Sequence, residues 1–232
     1  MPAQQKKIIF CIAGVLSFAC ALGTAAAIST QLWVKGTILC KTGALLVNAT
    51  GQEMEKFIGE IQYGLLYGER VRQCGLGGRP FQFSFFPDLL KIIPASIHVS
   101  VILFCTVLII FALVGAGFFM FNAFGSPYET LHGPVGLYLW SFIACSCGCL
   151  IMILFSSEVK IHHLSEKIAN FKEGSFIFKT HTEKFANSFW IILVCSLLQF
   201  LNALLIRFAG FEFPLSKSKD SGTTTGAADL MY

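Results

Sequence analysis

The residues best suited to chemistry in this sequence are its nine cysteines, three of which alternate in Cys145-Ser146-Cys147-Gly148-Cys149. Thiolates bind zinc when three or four sulfur atoms converge on one ion. On a helix, Cys145 and Cys149 share a face and Cys147 points nearly opposite, so the three sulfur atoms cannot converge. The spacing therefore predicts small packing residues on a helix, and we expect neither a metal nor a cofactor.

Histidine and carboxylate side chains offer two further pairs that could bind a metal or transfer a proton. His162 and His163 are adjacent, so on a helix they point about 100° apart and form a poor metal-binding pair. Glu129 and His132 are close in sequence, but no nucleophile accompanies them. The polar segments also lack a glycine-rich phosphate loop and a nucleophile elbow. We therefore expect no enzyme and no catalytic residue.

Cys40, Cys74 and Asn48 are candidates for covalent modification within one polar segment. Asn48-Ala49-Thr50 is an acceptor motif for N-glycosylation, which takes place on the lumenal side of the secretory pathway. In an oxidising compartment Cys40 and Cys74 can form one disulfide. That bond would close a loop of about 34 residues and stabilise the fold by about 3–4 kcal/mol. Two unpaired thiols are the alternative.

Membrane-spanning helices must position these residues, because four long stretches of the chain contain no Asp, Glu, Lys or Arg. A transmembrane helix requires about 20 apolar residues. The uncharged stretches are residues 8–34, 92–128, 130–157 and 185–206. The whole chain has 55% hydrophobic residues and a mean hydropathy of +0.69. Together with the four uncharged stretches, these values exclude a soluble enzyme and a disordered regulator. The net charge of +4 is too small and too dispersed for nucleic-acid binding.

The sequence predicts an all-α membrane protein, a four-transmembrane-helix bundle with a small β-rich extracellular loop domain. The helices are predicted at residues 8–32, 92–121, 135–157 and 185–206. The other segments are a cytoplasmic N-terminus at 1–7, extracellular loop one at 33–91, a cytoplasmic turn at 122–134, extracellular loop two at 158–184 and a cytoplasmic tail at 207–232. The first apolar stretch also fits a secretory signal peptide, but it exceeds the usual core of about 7–15 residues, which favours an uncleaved helix.

Small residues recur at every fourth position of the first predicted helix, at Ala13, Ser17, Ala21 and Ala25. In lipid, such a stripe lets helix backbones approach closely, so it predicts a helix-packing face, with generic apolar composition as the alternative. In the fourth predicted helix, Gln199 and Asn202 predict hydrogen bonds between helices rather than a permeation site. The lack of charged residues inside the predicted helices argues against transport through the bundle.

Loop two has two periodic segments. Residues 158–172 predict an amphipathic continuation of the third helix, because four apolar residues share one side. These residues are Ile161, Leu164, Ile168 and Phe171. After Gly174, every second position is occupied by Phe176, Phe178, Thr180 and Thr182. This alternation predicts a strand whose phenylalanine side can pack on loop one.

The charge distribution and the glycosylation motif favour opposite orientations in the membrane. With four helices, both termini lie on one side. If that side is cytoplasmic, five basic residues lie inside and 12 outside, which the positive-inside rule disfavours, although its signal weakens for a loop as long as loop one. The Asn48 motif and the loop-one cysteines favour cytoplasmic termini. We therefore predict that both termini are cytoplasmic.

Six segments of the sequence are distinctive: QQKKIIFC at 4–11, LCKTGALLVN at 39–48, VRQCGLG at 71–77, FSFFPDLL at 83–90, EVKIHHLSEKIAN at 158–170 and AADLMY at 227–232. They resemble the clarin family, a branch of the claudin-like tetraspan superfamily. The resemblance extends over essentially the whole chain. Claudins carry Gly-Leu-Trp before two close cysteines, whereas this chain has Gly64-Leu65-Leu66 and widely separated cysteines, which argues against claudin-style strands and paracellular pores.

The resemblance implies a claudin-like fold and a non-enzymatic protein of sensory cells. Clarins are associated with hair-bundle and ribbon-synapse integrity and with photoreceptor maintenance, through actin-linked membrane domains and channel complexes. The implied partners are membrane lipids and channel or cytoskeleton-linked membrane proteins, with a homo-oligomer as a further alternative and no nucleic acid. The resemblance also implies a plasma-membrane protein made through the secretory pathway, with cytoplasmic termini and a glycosylated Asn48. A claudin-like adhesion or pore-forming protein is the alternative function.

Overall fold

The computed structural model describes residues 3–87, 89–125 and 134–209. Among these residues, four helices are long and apolar enough to cross a membrane. They are α1 (Ala3–Ser29), α3 (Ala95–Phe124), α4 (Pro134–Lys160) and α6 (Asn187–Phe208), and two short helices, α2 (Lys41–Leu46) and α5 (Leu164–Asn170), lie outside the bundle. Most of the predicted turn at 122–134 and of the tail at 207–232, including Glu129 and His132, lies outside the described residues.

The four long helices form a bundle in which each helix packs on two neighbours. Helix α1 packs on α3 and α6, and α4 packs on the same two helices. At one end of the bundle, apolar residues of all four helices form a common cluster that includes Phe10, Phe119, Leu137 and Ile206. Helices are the natural solution here, because a backbone in lipid must satisfy its hydrogen bonds internally.

The described residues also form a five-stranded antiparallel sheet at the other end of the bundle. Its strands are β1 (Val34–Cys40), β2 (Ile58–Tyr63), β3 (Tyr67–Gln73), β4 (Gly78–Ser84) and β5 (Phe178–Phe185), in the order β4-β3-β2-β1-β5. Strand β5 therefore adds loop two to the edge of the loop-one sheet. The predicted alternation lies in this strand from Phe178 onward, whereas Phe176 precedes it. The four-helix bundle with a small β-rich domain is confirmed.

The chain after α4 differs from the prediction of one amphipathic helix over residues 158–172. Helix α4 ends at Lys160, and α5 begins as a separate helix at Leu164. Between them, His163 has a left-handed backbone with a φ of 50°, which interrupts the helix and redirects the chain. Leu164 is buried, but Ile161 is 69% exposed because it precedes the change of direction. The prediction of a continuous helix is wrong for this reason.

The sheet and the bundle share one hydrophobic core. Trp33, just before β1, is fully buried, and its ring centroid lies 4.8 Å from the ring centroid of Phe155 in α4. Its indole Nε1 donates to the Ala27 carbonyl of α1 at 2.7 Å. At Gly64, a Cβ atom would collide with the Thr30 carbonyl oxygen, so only glycine allows the β2–β3 turn to approach the end of α1. These contacts seat the sheet directly on the helices.

Candidate functional site: buried polar contacts between helices and sheet

A histidine and a glutamate meet where the sheet rests on the bundle. His98 lies near the start of α3 and Glu158 near the end of α4, and both are fully buried. The His98 Nδ1 atom is 3.0 and 3.1 Å from the two carboxyl oxygens of Glu158. Its Nε2 atom is 2.8 Å from the carbonyl oxygen of Leu65 in the β2–β3 turn. One imidazole therefore joins two helices to the sheet.

The hydrogen-bond partners of His98 restrict where its protons lie. The Leu65 carbonyl can only accept, so Nε2 carries a hydrogen. Nδ1 lies within hydrogen-bond distance of both Glu158 carboxyl oxygens, so each ring nitrogen of the buried imidazole has a polar partner, as buried polar groups require. Phe85 stacks on the imidazole with ring centroids 4.4 Å apart and helps to exclude water.

A second group of polar side chains connects loop two to the same region. The Tyr63 hydroxyl is 2.8 Å from Ser165 Oγ, Ser165 donates to the Glu183 carboxylate, and Lys160 Nζ donates to Glu183 at 2.7 Å. Because the Ser165 hydrogen is used for Glu183, Tyr63 acts as donor. Burial raises the pKa of Tyr63 well above 10; the hydrogen bond with Ser165 lowers it by a smaller amount, and the charges of Glu183 and Glu158 raise it further. Its hydroxyl is therefore protonated at neutral pH and remains a donor.

Arg70 of β3 connects the sheet to α5 through hydrogen bonds. Its guanidinium is fully buried and donates to the carbonyl oxygens of Ile168, Ala169 and Phe171 at the end of α5. The C-terminus of a helix carries partial negative charge and unpaired carbonyls, so it is a suitable partner for a cation. Burial lowers the pKa of Arg70 to about 10, with a smaller contribution from Arg72. Arg70 is therefore still cationic at pH 7.

Comparison with known proteins identifies the family. A family model described as Clarin-2-like matches residues 5–206. The chain is 70% identical to Clarin-1 of Homo sapiens and 66% identical to Clarin-1 of Mus musculus, with 100% of each chain aligned. The chain belongs to the clarin family. It is also 39% identical to Clarin-2 of Homo sapiens, again over 100% of both chains. With its four candidate membrane helices, this clarin is a multi-pass membrane protein.

The predicted packing face of α1 is buried over three of its four residues in this clarin. Ala13, Ser17 and Ala21 are buried, but Ala25 is exposed, and the buried face continues at Thr24. The reason is geometric: with 3.6 residues per turn, a series at every fourth position drifts by about 40° per step. Within one chain, the predicted face therefore does not extend to Ala25.

Ser17 and Gln199 form a polar contact between three helices of the bundle. Ser17 Oγ of α1 donates to the Ala112 carbonyl of α3 at 2.8 Å, and Gln199 Nε2 of α6 donates to Ser17 Oγ at 3.1 Å. The predicted role of Gln199 between helices is confirmed. Asn202 is also buried, but neither its side-chain nitrogen nor its oxygen has a hydrogen-bond partner within the described part of the chain, so the same prediction is wrong for Asn202.

The alternating cysteines of α4 face different neighbours. Cys145 and Cys149 each lie 3.6 Å from Ser196 Oγ of α6, whereas Cys147 is buried with the core residues of α3 and α4. The two directions follow the helical spacing that the sequence predicted. Over residues 3–87, 89–125 and 134–209, no group of three or more His, Cys, Asp and Glu side chains could hold a metal ion.

The candidate modification sites lie at the end of the sheet that is remote from the bundle. Cys40 and Cys74 are joined by a disulfide, with their Cα atoms 5.5 Å apart. The bond links the end of β1 to the turn after β3. Asn48 follows α2, is exposed and has a left-handed backbone with a φ of 46°. A glycan on this side chain would therefore project into solvent in the folded protein.

Sequence reasoning missed the residues of the buried polar contacts. His98 lies in the stretch 92–128, which contains no Asp, Glu, Lys or Arg, and a single histidine in an apolar stretch by itself carries no sequence signal of a partner. Glu158 lies one residue beyond the predicted third helix, but α4 extends to Lys160 and places it inside the helix. The long helices therefore contain charged residues near their ends, and among them Glu158 is fully buried. The others are Lys6 and Lys7 in α1, Lys160 in α4 and Arg207 in α6. The sequence does contain one signal of this contact. His98 lies near the start of one predicted membrane helix and Glu158 just after the end of the next, so both lie at the same end of the bundle.

Proposed function

We propose that this clarin is a non-enzymatic four-helix scaffold or accessory protein that presents a fixed surface to membrane-protein partners. The contact of His98 with both Glu158 and Leu65 carries this proposal, because it holds the sheet in one position relative to the bundle. A preorganised surface binds partners with a smaller loss of conformational entropy. Ser17 and Gln199, which are polar residues between the helices, form a hydrogen bond with each other. Their presence in the bundle therefore does not require a permeation pathway.

The family relationship suggests where this scaffold acts. Clarins are associated with the plasma membrane of sensory cells, where they support hair bundles and ribbon synapses in hearing and balance, and with photoreceptor maintenance. We place this protein in the same setting, with channel complexes or actin-linked proteins as its partners. The proposal assigns partner binding to the sheet and to the outer faces of the helices, both of which are available on the described surface.

The proposed orientation puts both termini in the cytoplasm and the sheet outside the cell. Two observations support it: the exposed position of Asn48 and the disulfide between Cys40 and Cys74. N-glycosylation takes place in the secretory pathway, and structural disulfides persist in oxidising compartments. Both features are useful to this protein only if the sheet passes through that pathway and faces outward.

Affinity purification from sensory tissue tests the scaffold function. The full-length protein carrying a C-terminal tag is purified in mild detergent, and its partners are identified by mass spectrometry. The comparison variant is His98→Ala, which removes the contacts of α3 with both Glu158 and the Leu65 carbonyl, and it is used only where its yield of folded protein matches the wild type. We expect channel or cytoskeleton-linked proteins with the wild type and fewer with this variant. Ion conductance by the purified wild-type protein alone, without co-purified partners, would contradict the proposal.

An exposed apolar patch supports adhesion as a second candidate function. Leu45, Leu46 and Val47 at the end of α2 are exposed, as is Ile177 beside them, and Lys41 and Lys179 border the same surface. Contiguous exposed apolar residues typically mark interaction sites. Adhesion is tested by mixing two labelled cell populations that express the chain and measuring mixed aggregates. Aggregation that disappears with Leu46→Ser would favour adhesion over the scaffold function.

A further inference from the structure

A basic pocket lies at the disulfide-bearing end of the sheet. Its volume is about 300 Å³, and it lies between the β3–β4 turn of loop one and the chain that follows α5 in loop two. Three cationic side chains and one carboxylate line it: Arg72, Arg79, Lys172 and Glu173. Arg72 is ion-paired with Glu173. The pocket therefore has an excess of positive charge.

Two of these cations are held opposite each other by the sheet. Arg72 of β3 and Arg79 of β4 are cross-strand partners in the antiparallel register. Like charges in this position destabilise a sheet. Burial, and then the charge of Arg79, lower the pKa of Arg72. Arg79 itself is exposed, and no carboxylate of the described residues pairs with it. Glu173 already compensates the charge of Arg72, so an anionic group bound between the two guanidiniums would compensate the remaining charge of Arg79.

The rim of the pocket is apolar as well as basic. Leu76 is 93% exposed at the tip of the β3–β4 turn, between Gly75 and Gly77, whose φ angles are 90° and 94°. The two glycines permit a backbone that other residues rarely adopt, and this tight turn projects the leucine into solvent. On the other wall, Phe176 is also exposed. Within an isolated chain, an apolar side chain in such a position contributes nothing to stability.

We propose that this pocket binds an acidic peptide segment of a partner protein. A carboxylate of that segment lies between the guanidiniums of Arg72 and Arg79, and an apolar side chain next to it covers Leu76. Arginine suits this role because its planar guanidinium forms two parallel hydrogen bonds to a carboxylate. A sulfated glycan would supply the negative charge but no apolar group for Leu76, so the observations favour a peptide. The inference rests on the proposed scaffold function and specifies its partner surface.

Binding of a defined peptide tests the pocket. The full-length protein in lipid nanodiscs is titrated into a fluorescein-labelled hexapeptide of alternating glutamate and leucine, and fluorescence anisotropy gives the Kd. A peptide of alternating glutamine and leucine reports attraction to the lipid, and a heparin oligosaccharide reports attraction of any polyanion. Arg79→Gln removes the unpaired cation from an exposed position, and Leu76→Ser removes the apolar rim. Lys184→Gln is the matched control, because Lys184 is exposed and lies opposite Lys35 in the same sheet.

We expect the acidic peptide to bind, with Kd about tenfold higher for Arg79→Gln and several-fold higher for Leu76→Ser, as for residues at the centre of an interface. Lys184→Gln should leave Kd unchanged. Equal weakening by Arg79→Gln and Lys184→Gln, tight binding of heparin without the peptide, or no peptide binding would each overturn the inference. Partner co-purification from tissue that persists in Arg79→Gln would also reject this pocket while leaving the scaffold function intact. Absence of any partner with the wild type would instead reject the scaffold function itself.

Discussion

The imidazole of His98 and the carboxyl group of Glu158 form a fully buried contact, with Nδ1 and Oε1 3.0 Å apart, between the first turn of α3 and the last turn of α4. The imidazole also contacts the β2–β3 turn, whose Leu65 carbonyl accepts its other N–H. A buried polar group that loses its partner destabilises a protein more than the contact itself stabilises it. The two residues should therefore behave as one unit.

Removing either residue of this pair should destabilise the protein. The loss of stability in the double variant should be smaller than the sum of the losses in the two single variants. Glu158→Ala leaves His98 Nδ1 without a partner, which costs about 1–3 kcal/mol, whereas Glu158→Gln retains a hydrogen-bonding group. We expect a clear drop in Tm for Glu158→Ala and His98→Ala, a smaller drop for Glu158→Gln, and a non-additive double variant. Thermal unfolding in detergent measures all four. Additive losses would show that the two side chains act independently.

Alkaline pH should destabilise the protein through Tyr63. Burial raises the pKa of Tyr63 above its usual value of about 10, so above this pH the unfolded chain releases a proton that the folded chain retains. The stabilisation is fully present below pH 10 and falls as pH rises, by at most about 1.4 kcal/mol per pH unit.

Tyr63→Phe should reduce this alkaline loss, although it removes the hydrogen bond to Ser165 at neutral pH. Thermal unfolding between pH 8 and pH 11 gives the slope for each variant. Tyr67→Phe is the control, because Tyr67 is exposed and also donates a hydrogen bond, to the Ser29 carbonyl at 2.6 Å. Identical slopes for the wild type and Tyr63→Phe would contradict the assignment.

Loss of the disulfide should prevent delivery to the cell surface. Cys40→Ser or Cys74→Ser removes the link between β1 and the turn after β3, and the loss of such a bond typically costs about 2–4 kcal/mol. We expect both variants to be retained in the secretory pathway, as measured by surface biotinylation. Cys149→Ser, which alters a free cysteine of α4, should reach the surface. Normal surface delivery of both disulfide variants would rule out this role for the bond.

The orientation of the chain can be read from glycosylation. Asn48→Gln should abolish the shift in gel mobility that follows glycosidase treatment, because Asn48 is exposed beside the disulfide-linked end of the sheet. New acceptor motifs introduced into residues 122–133 should remain unmodified if this segment is cytoplasmic. Modification of those motifs, with an unmodified Asn48, would reverse the proposed orientation.

Local sequence properties were enough to predict the membrane helices and the strand in loop two. Hydrophobic length is a local quantity, and a stretch of about 20 apolar residues forms a helix in lipid whatever its neighbours are. Alternation is local as well, so the segment that includes Phe178 and Thr180 could be recognised as a strand. The interruption at His163 could not, because a left-handed residue leaves no mark in the spacing of apolar side chains.

Only the tertiary structure determined which distant residues meet. His98 and Glu158 are 60 residues apart, and Arg70 reaches carbonyls about 100 residues further along the chain. The sequence placed Arg72 and Arg79 in one loop, but the antiparallel register decided that they face each other. Each of these contacts depends on how helices and strands pack, and a linear pattern contains no information about packing. The sequence by itself determined a four-helix membrane protein, and packing determined its buried polar contacts and its basic pocket.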